Sequence, residues 1–461
     1  MNRLVLFLAG SLVLHGLAAC NWRYCAGNPD DDCRKSWDAN TGPELCKGNS
    51  DCRAPTGVCD LQATMMCVQC TTSQAAACSG VTPVCDLEVM MCVQCTTSQA
   101  GACSGATPLC ISNQCQKCTA HAQCSASNVC LPDGSCADAE QVAYVAMSGS
   151  GSACTKTSPC GTLDAGLKKH KPFVKFASGT VADTSATTID GQAVTIFADQ
   201  GARLSRTSAG VILQVQNDGA DVQIFDLEIA GATGLGNAAI AVSNPNGGTP
   251  KLALTRVTVD GNQGLGVSAT AGTLTLSRSI VSGNDSGGIS VSGPSSIFDI
   301  SESFIIHNGR ATNQPSVVGG AALATVAAGS RFEWNTVAFN ESDGSLFRGG
   351  VSCTVALATA TGNLIYHNTE PDGSGGIKTD ATTQNNSAGC QYGNTIAIAT
   401  DPGNLGFRSP LVMPFDFRLT SMSPRTVIDA GGLCSGQDFD GQSRPIGAAC
   451  DLGADEYQPA P

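Results

Sequence analysis

Four segments in the middle of the chain share one pattern of apolar and polar positions and align without gaps. They are Val222–Ala232, Leu252–Asn262, Leu274–Asn284 and Phe298–Asn308. Each begins with alternating apolar and polar residues, reaches a second apolar cluster and closes around glycine or asparagine. Such alternation predicts a strand with one buried face. Shorter segments of the same type at 332–340 and 363–368 extend the predicted series.

The repeat is made of strands and turns without a helix, which excludes a βαβ unit. It also lacks the four strands and Trp-Asp signature of a propeller blade. Coiling the chain so that equivalent strands stack in parallel buries each apolar position on its neighbour. The predicted fold class is therefore all-β, a parallel β-helix. Asparagines that close the repeats are expected to stack their amides along the coil: Asn262, Asn284, Asn308, Asn340 and Asn368.

The pattern resembles the right-handed parallel β-helix of the pectate-lyase superfold over roughly residues 172–400. At its start, a strand at Tyr144–Val145, a short helix at 162–169 and a strand at 173–180 resemble the N-terminal cap of many bacterial β-helix proteins. The cap helix is expected to close the open end of the core, as terminal solenoid repeats must.

The C-terminal segment contains short motifs in a fixed order: Asp416–Thr420, Ile428–Gly431, Asp438–Gly441, Arg444–Pro445 and Asp451–Glu456. This series resembles the choice-of-anchor Q region of bacterial surface β-helix proteins. The resemblance implies a C-terminal cap on a protein of the cell surface.

The chain has 461 residues and 25 cysteines. Most of the cysteines form four tandem modules, each of four cysteines, which begin at Cys46, Cys70, Cys95 and Cys118. Because few large apolar residues lie between them, each module is expected to hold two disulfides, with the connectivity left open. Zinc held by four thiolates is the alternative, which an oxidising compartment disfavours. Other pairs are expected locally: Cys25 with Cys33, Cys154 with Cys160, Cys353 with Cys390, and Cys434 with Cys450.

The N-terminus indicates export. A basic start is followed by an apolar run at 4–14, which is too short to span a membrane and is typical of a signal peptide. Leu17–Cys20 reads Leu-Ala-Ala-Cys, which resembles the lipobox of bacterial lipoproteins and implies lipidation of Cys20. Asn21 favours the outer membrane or the cell surface. Simple secretion, with Cys20 in a disulfide, is the alternative.

Composition narrows the class of protein. A formal net charge of −13 argues against a nucleic-acid partner. A hydrophobic content of 42% excludes global disorder, and the 53 glycines have no three-residue period, which excludes collagen.

The gapless alignment places four charged residues in one column: Asp226, Arg256, Arg278 and Glu302. Equivalent residues on adjacent strands are about 4.8 Å apart. Two neighbouring arginines between carboxylates could bind an acidic sugar. A solvent-facing ladder of charges that partly neutralise one another is the favoured alternative, because no dense group of aspartates accompanies the arginines.

Two histidines, His307 and His367, occupy the same turn position in different repeats and are expected to stack there, although an acid–base role is an alternative. Motifs of pectin hydrolases, serine nucleophile elbows and metalloprotease histidine pairs are absent from the sequence.

The C-terminal segment offers four weak candidate ligands for Ca²⁺: Asp438, Asp440, Asp451 and Asp455. Their spacing excludes an EF-hand. A hydrogen-bonded cap in which Arg444 pairs with one of these aspartates is favoured over a metal site.

These features predict a lipoprotein signal peptide (1–19), tandem disulfide repeats (20–140), an N-terminal cap with the β-helix (141–400) and a C-terminal cap (401–461). The leading hypothesis is a cell-envelope lipoprotein, attached to the membrane by its lipid, whose β-helix binds glycans or partner cells without catalysis. The alternatives are a polysaccharide lyase or glycoside hydrolase with a site on the β-helix flank, and a purely structural envelope protein. No cofactor is expected apart from Ca²⁺.

Overall fold

The computed structural model describes residues 45–459 except 310–317, 325–326, 344–347, 355–358, 375, 380–384, 387–395 and 399–404. The chain divides into two compact units, Met1–Lys117 and Cys118–Pro461. Cys20, Cys25 and Cys33 lie outside the described residues. Among those that are described, no helix combines the length and apolarity needed to cross a bilayer.

The first unit contains three disulfide modules, each built on one antiparallel hairpin. The strands are β1 (Val58–Cys59), β2 (Cys67–Val68), β3 (Val84–Asp86), β4 (Met91–Val93), β5 (Leu109–Ile111) and β6 (Gln114–Gln116). Short 3₁₀ helices lie at Asn49–Asp51, Thr72–Ala77 and Thr97–Ala102. In each hairpin the third and fourth cysteines of the module occupy opposite register positions on the two strands, as Cys85 and Cys92 do, without being bonded to each other.

Disulfide connectivity is the same in all four modules: the first cysteine bonds to the third, and the second to the fourth. The pairs are 46–59, 52–67, 70–85, 78–92, 95–110, 103–115, 118–130 and 124–136. The prediction of two disulfides per module is confirmed. Within the described residues, the only clusters of three potential metal ligands are sets of these same cysteines. Since disulfide sulfurs are not thiolates, the zinc alternative is unsupported.

The second unit begins with the fourth module, which has 3₁₀ helices at His121–Gln123 and Ala139–Gln141. Three long parallel sheets follow. The first sheet contains β7 (Val142–Val145), β8 (Phe173–Phe176), β11 (Ala193–Ala198), β14 (Asp221–Phe225), β17 (Lys251–Thr255), β20 (Thr273–Ser277), β23 (Ile297–Ser301) and β26 (Arg331–Glu333).

The other two sheets complete each turn of the coil. The second sheet contains β9 (Gly179–Asp183), β12 (Ala202–Arg206), β15 (Glu228–Ala230), β18 (Thr258–Asp260), β21 (Ile280–Ser282), β24 (Phe304–Ile306), β27 (Thr336–Ala338), β29 (Leu364–Tyr366) and β33 (Ile396–Ile398). The third contains β10 (Thr187–Asp190), β13 (Leu213–Gln216), β16 (Ala238–Ser243), β19 (Leu265–Ala269), β22 (Gly287–Val291), β25 (Ala321–Leu323), β28 (Val351–Cys353) and β32 (Asn385–Asn386). A separate hairpin joins β30 (Glu370–Pro371) to β31 (Ile377–Lys378).

The strand register follows the gapless alignment of the sequence. Val222 is paired with Leu252, Leu252 with Leu274, and Leu274 with Phe298. All four side chains are buried in one continuous apolar core. The predicted all-β parallel β-helix is therefore confirmed.

Two ladders of polar side chains run along the coil. In the predicted ladder, Asn284 Nδ2 donates to Asn308 Oδ1 at 2.9 Å, and Asn308 Nδ2 donates to Asn340 Oδ1 at 2.9 Å. A second ladder, which the repeat pattern does not predict, lies between the first and second sheets at Ser279, Ser303, Asn335 and Asn363. Both ladders satisfy backbone amides that the turns leave without a strand partner.

The N-terminal end of the coil is closed by α1 (Leu163–Leu167), as predicted. Thr162 Oγ1 accepts a hydrogen bond from the Ala165 amide at 3.2 Å and caps the helix. Leu163 and Leu167 are buried in the same core as the strands. The predicted Cys154–Cys160 disulfide is present beside this helix.

The C-terminal segment packs on the outer face of the second sheet. Phe304 and Tyr366 point outward from their strands and form an apolar cluster with Phe407, Phe417 and other residues of 405–454. The predicted Cys434–Cys450 disulfide is present. Cys353 is also disulfide-bonded, and Cys390, its predicted partner, lies outside the described residues.

Candidate functional site

The four predicted column residues occupy equivalent turns between the first and second sheets. Each has a left-handed backbone, with φ of 63° at Asp226, 55° at Arg256, 47° at Arg278 and 44° at Glu302. Trp334 continues the column with φ of 55°. A single left-handed residue turns the chain sharply from one sheet to the next. Because the turns are identical and the strands are in register, the side chains emerge as one row.

Arg256 and Asp226 form a two-point ion pair. Arg256 Nε donates to Asp226 Oδ1 at 2.6 Å, and Nη2 donates to Oδ2 at 2.8 Å. The guanidinium also lies 5.8 Å from the centroid of the Phe225 ring. These contacts use the planar fork that arginine presents to a carboxylate. This part of the column matches the expected charge ladder.

Arg278 has a different environment. Its Nη1 donates to Gln437 Oε1 at 3.0 Å, which is a neutral acceptor from the C-terminal segment. No carboxylate of the described residues lies within ion-pair distance of this guanidinium. Burial, followed by the positive charge of Arg256, lowers the pKa of Arg278. The negative charge of a bound anion would offset both effects.

Glu302 is half-buried next along the column. Burial raises the pKa of its carboxyl, and Arg444 and Arg278 act in the opposite direction. Among the described residues Glu302 forms no ion pair with Arg278, although its negative charge opposes the fall in the pKa of Arg278.

A surface cleft of about 950 Å³ contains three of the four column residues. Its lining combines residues of the fourth disulfide module with residues of the β-helix: 118–122, 130–132, 197–201, Phe225–Asp226, Arg256 and Arg278. The volume lies within the range of small-molecule and oligomer sites. Three of the column residues thus form one side of a surface cleft.

Aromatic rings stack along the β-helix side of the cleft. Phe225 is stacked on Phe197 with centroids 5.2 Å apart, and Phe173 lies 6.1 Å from Phe197. His121 of the fourth module meets Phe197 edge-on at 5.4 Å. The rings fix the backbone positions of the polar groups around them, because successive turns cannot shift without separating the stack.

The fourth module is held against the β-helix by both polar and apolar contacts. Tyr144 Oη donates to the Ser127 carbonyl at 2.7 Å, and Lys156 Nζ donates to the Ser125 carbonyl at 2.7 Å. Val129 is buried in a cluster with Tyr144 and Phe197. The division between compact units therefore falls before this module, whereas the sequence pattern grouped it with the preceding repeats.

Two carboxylates line the cleft, and each is engaged by a cation. Asp226 is held by Arg256, as described above. Asp199 Oδ1 lies 2.7 Å from the ammonium of Lys175, whose side chain is 2% exposed. Burial lowers the pKa of Lys175, and the bond to Asp199 opposes that shift. Both carboxylates of the cleft lining are therefore held in ion pairs.

The four C-terminal aspartates do not converge on a common point. Asp438 accepts from the amides of Gln442 (2.8 Å) and Glu456 (3.2 Å), and Asp451 accepts from those of Asp429 (2.7 Å) and Tyr457 (2.6 Å). These carboxylates pin loops together instead of forming an oxygen cage.

The other two aspartates are used in the same way. Asp440 binds Arg418 through two hydrogen bonds of 2.6 Å, and Asp455 Oδ2 accepts from the Leu419 amide at 2.7 Å. Burial, with Asp438 and Asp440 nearby, raises the pKa of Asp455 to about 7. The hydrogen-bonded cap is the arrangement the structure contains.

The predicted partner of Arg444 was wrong. Its Nη1 pairs with Glu456 Oε2 at 3.1 Å, and its Nη2 donates to the Gly453 carbonyl at 2.8 Å. Both side chains of the pair are only 1% exposed. Asp451 contributes its carbonyl oxygen rather than its carboxylate, because that carboxylate is already bound to amides.

The two turn histidines belong to a ring stack and not to the cleft. His307 lies 5.2 Å from Phe339, and Phe339 lies 4.5 Å from His367. His307 is stacked on Phe415 at 3.8 Å, and its Nε2 is 2.8 Å from the Pro410 carbonyl. The expected turn stacking is therefore present.

Sequence reasoning missed His121, Gln437 and the Phe197 ring. His121 and Gln437 lie in segments outside the aligned repeats, so the column analysis could not reach them. Phe197 and Phe225 occupy equivalent register positions in β11 and β14, and this equivalence in the sequence could have predicted that the two rings stack.

Residues 32–142 match the family described as "Family of unknown function (DUF8331)", a range that includes all four disulfide modules. A crystal structure of pectate lyase Pel9A is similar at 16% identity, over 69% of this chain and 96% of that chain, with a TM-score of 0.45. No curated protein matches the chain. The assignment to the parallel β-helices rests on the strand pairing itself.

Proposed function

We propose that this protein binds an acidic carbohydrate in the cleft of its β-helix without chemically changing it. The observation that carries the proposal is the state of Arg278, whose guanidinium lines the cleft with a neutral amide as its hydrogen-bond partner. A carboxylate on the ligand would give it the charged partner that Arg256 already has in Asp226.

A sugar suits the cleft better than a polyanion. The chain carries a net charge of −13, which repels ligands of high negative charge density. The remaining lining offers Thr119, Gln200 and the paired Asp199, which exchange hydrogen bonds with hydroxyl groups. One anionic group among many hydroxyls is the composition of an acidic glycan.

The pairing of the cleft carboxylates supports binding without turnover. Hydrolysis by two carboxylates needs one group that holds a proton and one that is free to act as base or nucleophile. Asp199 and Asp226 are each fixed to a cation at 2.7 Å or less. Releasing either one for chemistry would leave Lys175 or Arg256 without its counter-ion.

The test is calorimetric titration with acidic oligosaccharides, their carboxyl-reduced forms and an acidic peptide. Wild type should bind the acidic glycan, and Arg278→Ala should weaken binding about 10- to 100-fold, since a charge-assisted hydrogen bond contributes about 1.5–3 kcal/mol. Arg203→Ala is the matched control, because Arg203 pairs with Glu228 at 3.4 Å and is not part of the cleft lining.

Two results would count against this function. Release of unsaturated or reducing sugar ends during the incubation would show catalysis. Binding of the acidic peptide with no glycan bound would assign the cleft to a protein partner.

The proposal includes the cell envelope as the place of action. The apolar run at 4–14 and the Leu17–Cys20 motif support export and lipidation of Cys20, and the extensive disulfides fit an oxidising compartment. The resemblance of 401–461 to the choice-of-anchor Q region supports a cell-surface or outer-membrane location. Radiolabelled palmitate should enter the wild type and not Cys20→Ser; equal labelling of both would refute lipidation at Cys20.

A further inference from the structure

The two ring nitrogens of His121 differ in their hydrogen bonding within the described part of the chain. The Cys130 amide donates to His121 Nδ1 at 3.0 Å, so Nδ1 is an acceptor and the neutral ring carries its proton on Nε2. Among the described residues, no hydrogen bond to Nε2 is formed. The residue lines the same cleft as Arg278.

The ring is held rigidly in this orientation. Its edge-on contact with Phe197 restricts rotation, and the bond from Cys130 fixes which nitrogen faces away from the module backbone. The module itself is cross-linked by Cys118–Cys130 and Cys124–Cys136. A donor that is fixed before binding loses little entropy when a ligand arrives.

Burial lowers the pKa of His121, and the positive charge of Lys175 acts in the same direction. Asp226 and Asp199 oppose this shift, and Arg256 adds to it. At neutral pH the ring is therefore a neutral hydrogen-bond donor and not a third cation beside Arg256 and Arg278.

We infer that His121 is a specificity-determining residue of the cleft, whose Nε2–H donates to a hydroxyl of the acidic sugar while Arg278 binds its carboxylate. This inference rests on the proposed function and deepens it. The ligand class is a glycan in which a carboxylate-bearing pyranose presents a neutral hydroxyl to the disulfide module. The fourth module is then part of the recognition site as well as of the protein's covalent framework.

The experiment compares two ligands on four proteins. The ligands are an acidic oligosaccharide and the same oligosaccharide with its carboxyls reduced. The proteins are wild type, His121→Asn, His121→Gln and Arg278→Ala. Asparagine retains an acceptor near Nδ1 for the Cys130 amide and removes the distal donor, whereas glutamine restores a donor further from the backbone.

His121→Asn should weaken both ligands by the same factor, about 3- to 10-fold, the effect of one neutral hydrogen bond. His121→Gln should recover part of this loss. Arg278→Ala should weaken the acidic ligand alone. His170→Asn is the control, because His170 is an exposed histidine outside the cleft lining. Thermal unfolding of each variant checks that the module remains folded.

The outcomes separate the two proposals. If His121→Asn binds both ligands as wild type does while Arg278→Ala loses the acidic ligand, the role of His121 is refuted and the proposed function stands. If wild type binds neither oligosaccharide, the proposed function fails and the role of His121 with it. If His121→Asn unfolds, His121→Ala, which also lacks the distal donor, replaces it, and unchanged affinity of that variant for both ligands refutes the inference.

Discussion

Arg256 holds Asp226 by two hydrogen bonds, of 2.6 and 2.8 Å, although 30 residues separate them in the chain. They are neighbours because the coil returns to the same point after one full turn, where β14 is paired with β17. The pair therefore cross-links two successive turns at the edge of the cleft. Asp226 thus forms its ion pair with Arg256 and not with Arg278.

Arg256→Ala should lower the free energy of unfolding by about 0.5–1 kcal/mol, a value discounted because the two side chains are 43% and 32% exposed. Arg256→Lys should recover little, since lysine is a point charge and cannot form both bonds. Urea unfolding measures both variants, with Arg203→Ala as the control for a looser pair at 3.4 Å. Full stability in Arg256→Lys would contradict the importance of the two-point geometry.

Asn308→Ala should cost about 2–4 kcal/mol of unfolding free energy. Asn308 is fully buried and bonds to Asn284, Asn340 and the Val281 carbonyl. The substitution would leave the Asn284 backbone amide and the Val281 carbonyl without this partner, whereas Asn340 Oδ1 would keep its bond from the backbone amide of residue 308. Chemical denaturation measures the loss. The exposed Asn246→Ala should be close to neutral, and equal effects of the two substitutions would show that the ladder adds nothing.

Asp455 should make stability fall as the pH rises. Its pKa is about 7 in the folded protein against 3.8 for the ordinary group, so the folded state binds more protons between about pH 4 and 7. The stability that this carboxyl contributes is fully present below pH 3.8 and is lost as the pH rises through about 7. Asp455→Asn removes the titration while keeping an acceptor for the Leu419 amide.

Denaturation at a series of pH values tests this expectation. Asp455→Asn should match wild type near pH 4 and exceed it above about pH 7, by roughly 1–4 kcal/mol, since each pKa unit is worth about 1.4 kcal/mol. The control is Asp218→Asn, because Asp218 is exposed. Parallel pH profiles for wild type and Asp455→Asn would rule out the effect.

A fragment of residues 118–461 should fold alone, because the second compact unit begins at Cys118. A fragment of 141–461 should be less stable by roughly 3–5 kcal/mol, since Tyr144 and Phe197 lose the apolar cover of Val129 and Ala137. Tyr144 also loses its bond to Ser127. Differential scanning calorimetry compares the two. Equal melting temperatures would mean that the fourth module does not support the β-helix.

Sequence periodicity predicted the coil and its register because both depend on local alternation. The pairing of Val222, Leu252, Leu274 and Phe298 follows from which residues must face the core. The αL turns are less obvious from sequence, since Arg278 and Glu302 are residue types that rarely adopt positive φ.

The cleft could not be predicted in the same way. Gln437 contacts Arg278 from 159 residues further along the chain, and His121 reaches Phe197 from a different kind of module. Such contacts depend on how elements outside the repeats pack against the coil, and this packing produces no repeating pattern in the sequence. The partner of Arg444, Glu456, was missed for a related reason. Several carboxylates lie near Arg444 in the sequence, and the sequence does not show that the Asp451 carboxylate accepts hydrogen bonds from backbone amides.

The row of left-handed turn residues allows this surface to change by substitution. A left-handed conformation costs a residue with a side chain about 1–3 kcal/mol, less for asparagine and aspartate and more for β-branched residues. Exchanging Arg278 for another residue that is not branched at the β-carbon therefore leaves the cost of the turn similar. Side chains at the positions of this row can therefore be replaced while the backbone of the coil stays the same. Lineages that share the coil can acquire different ligand preferences through single substitutions, without any change in the core.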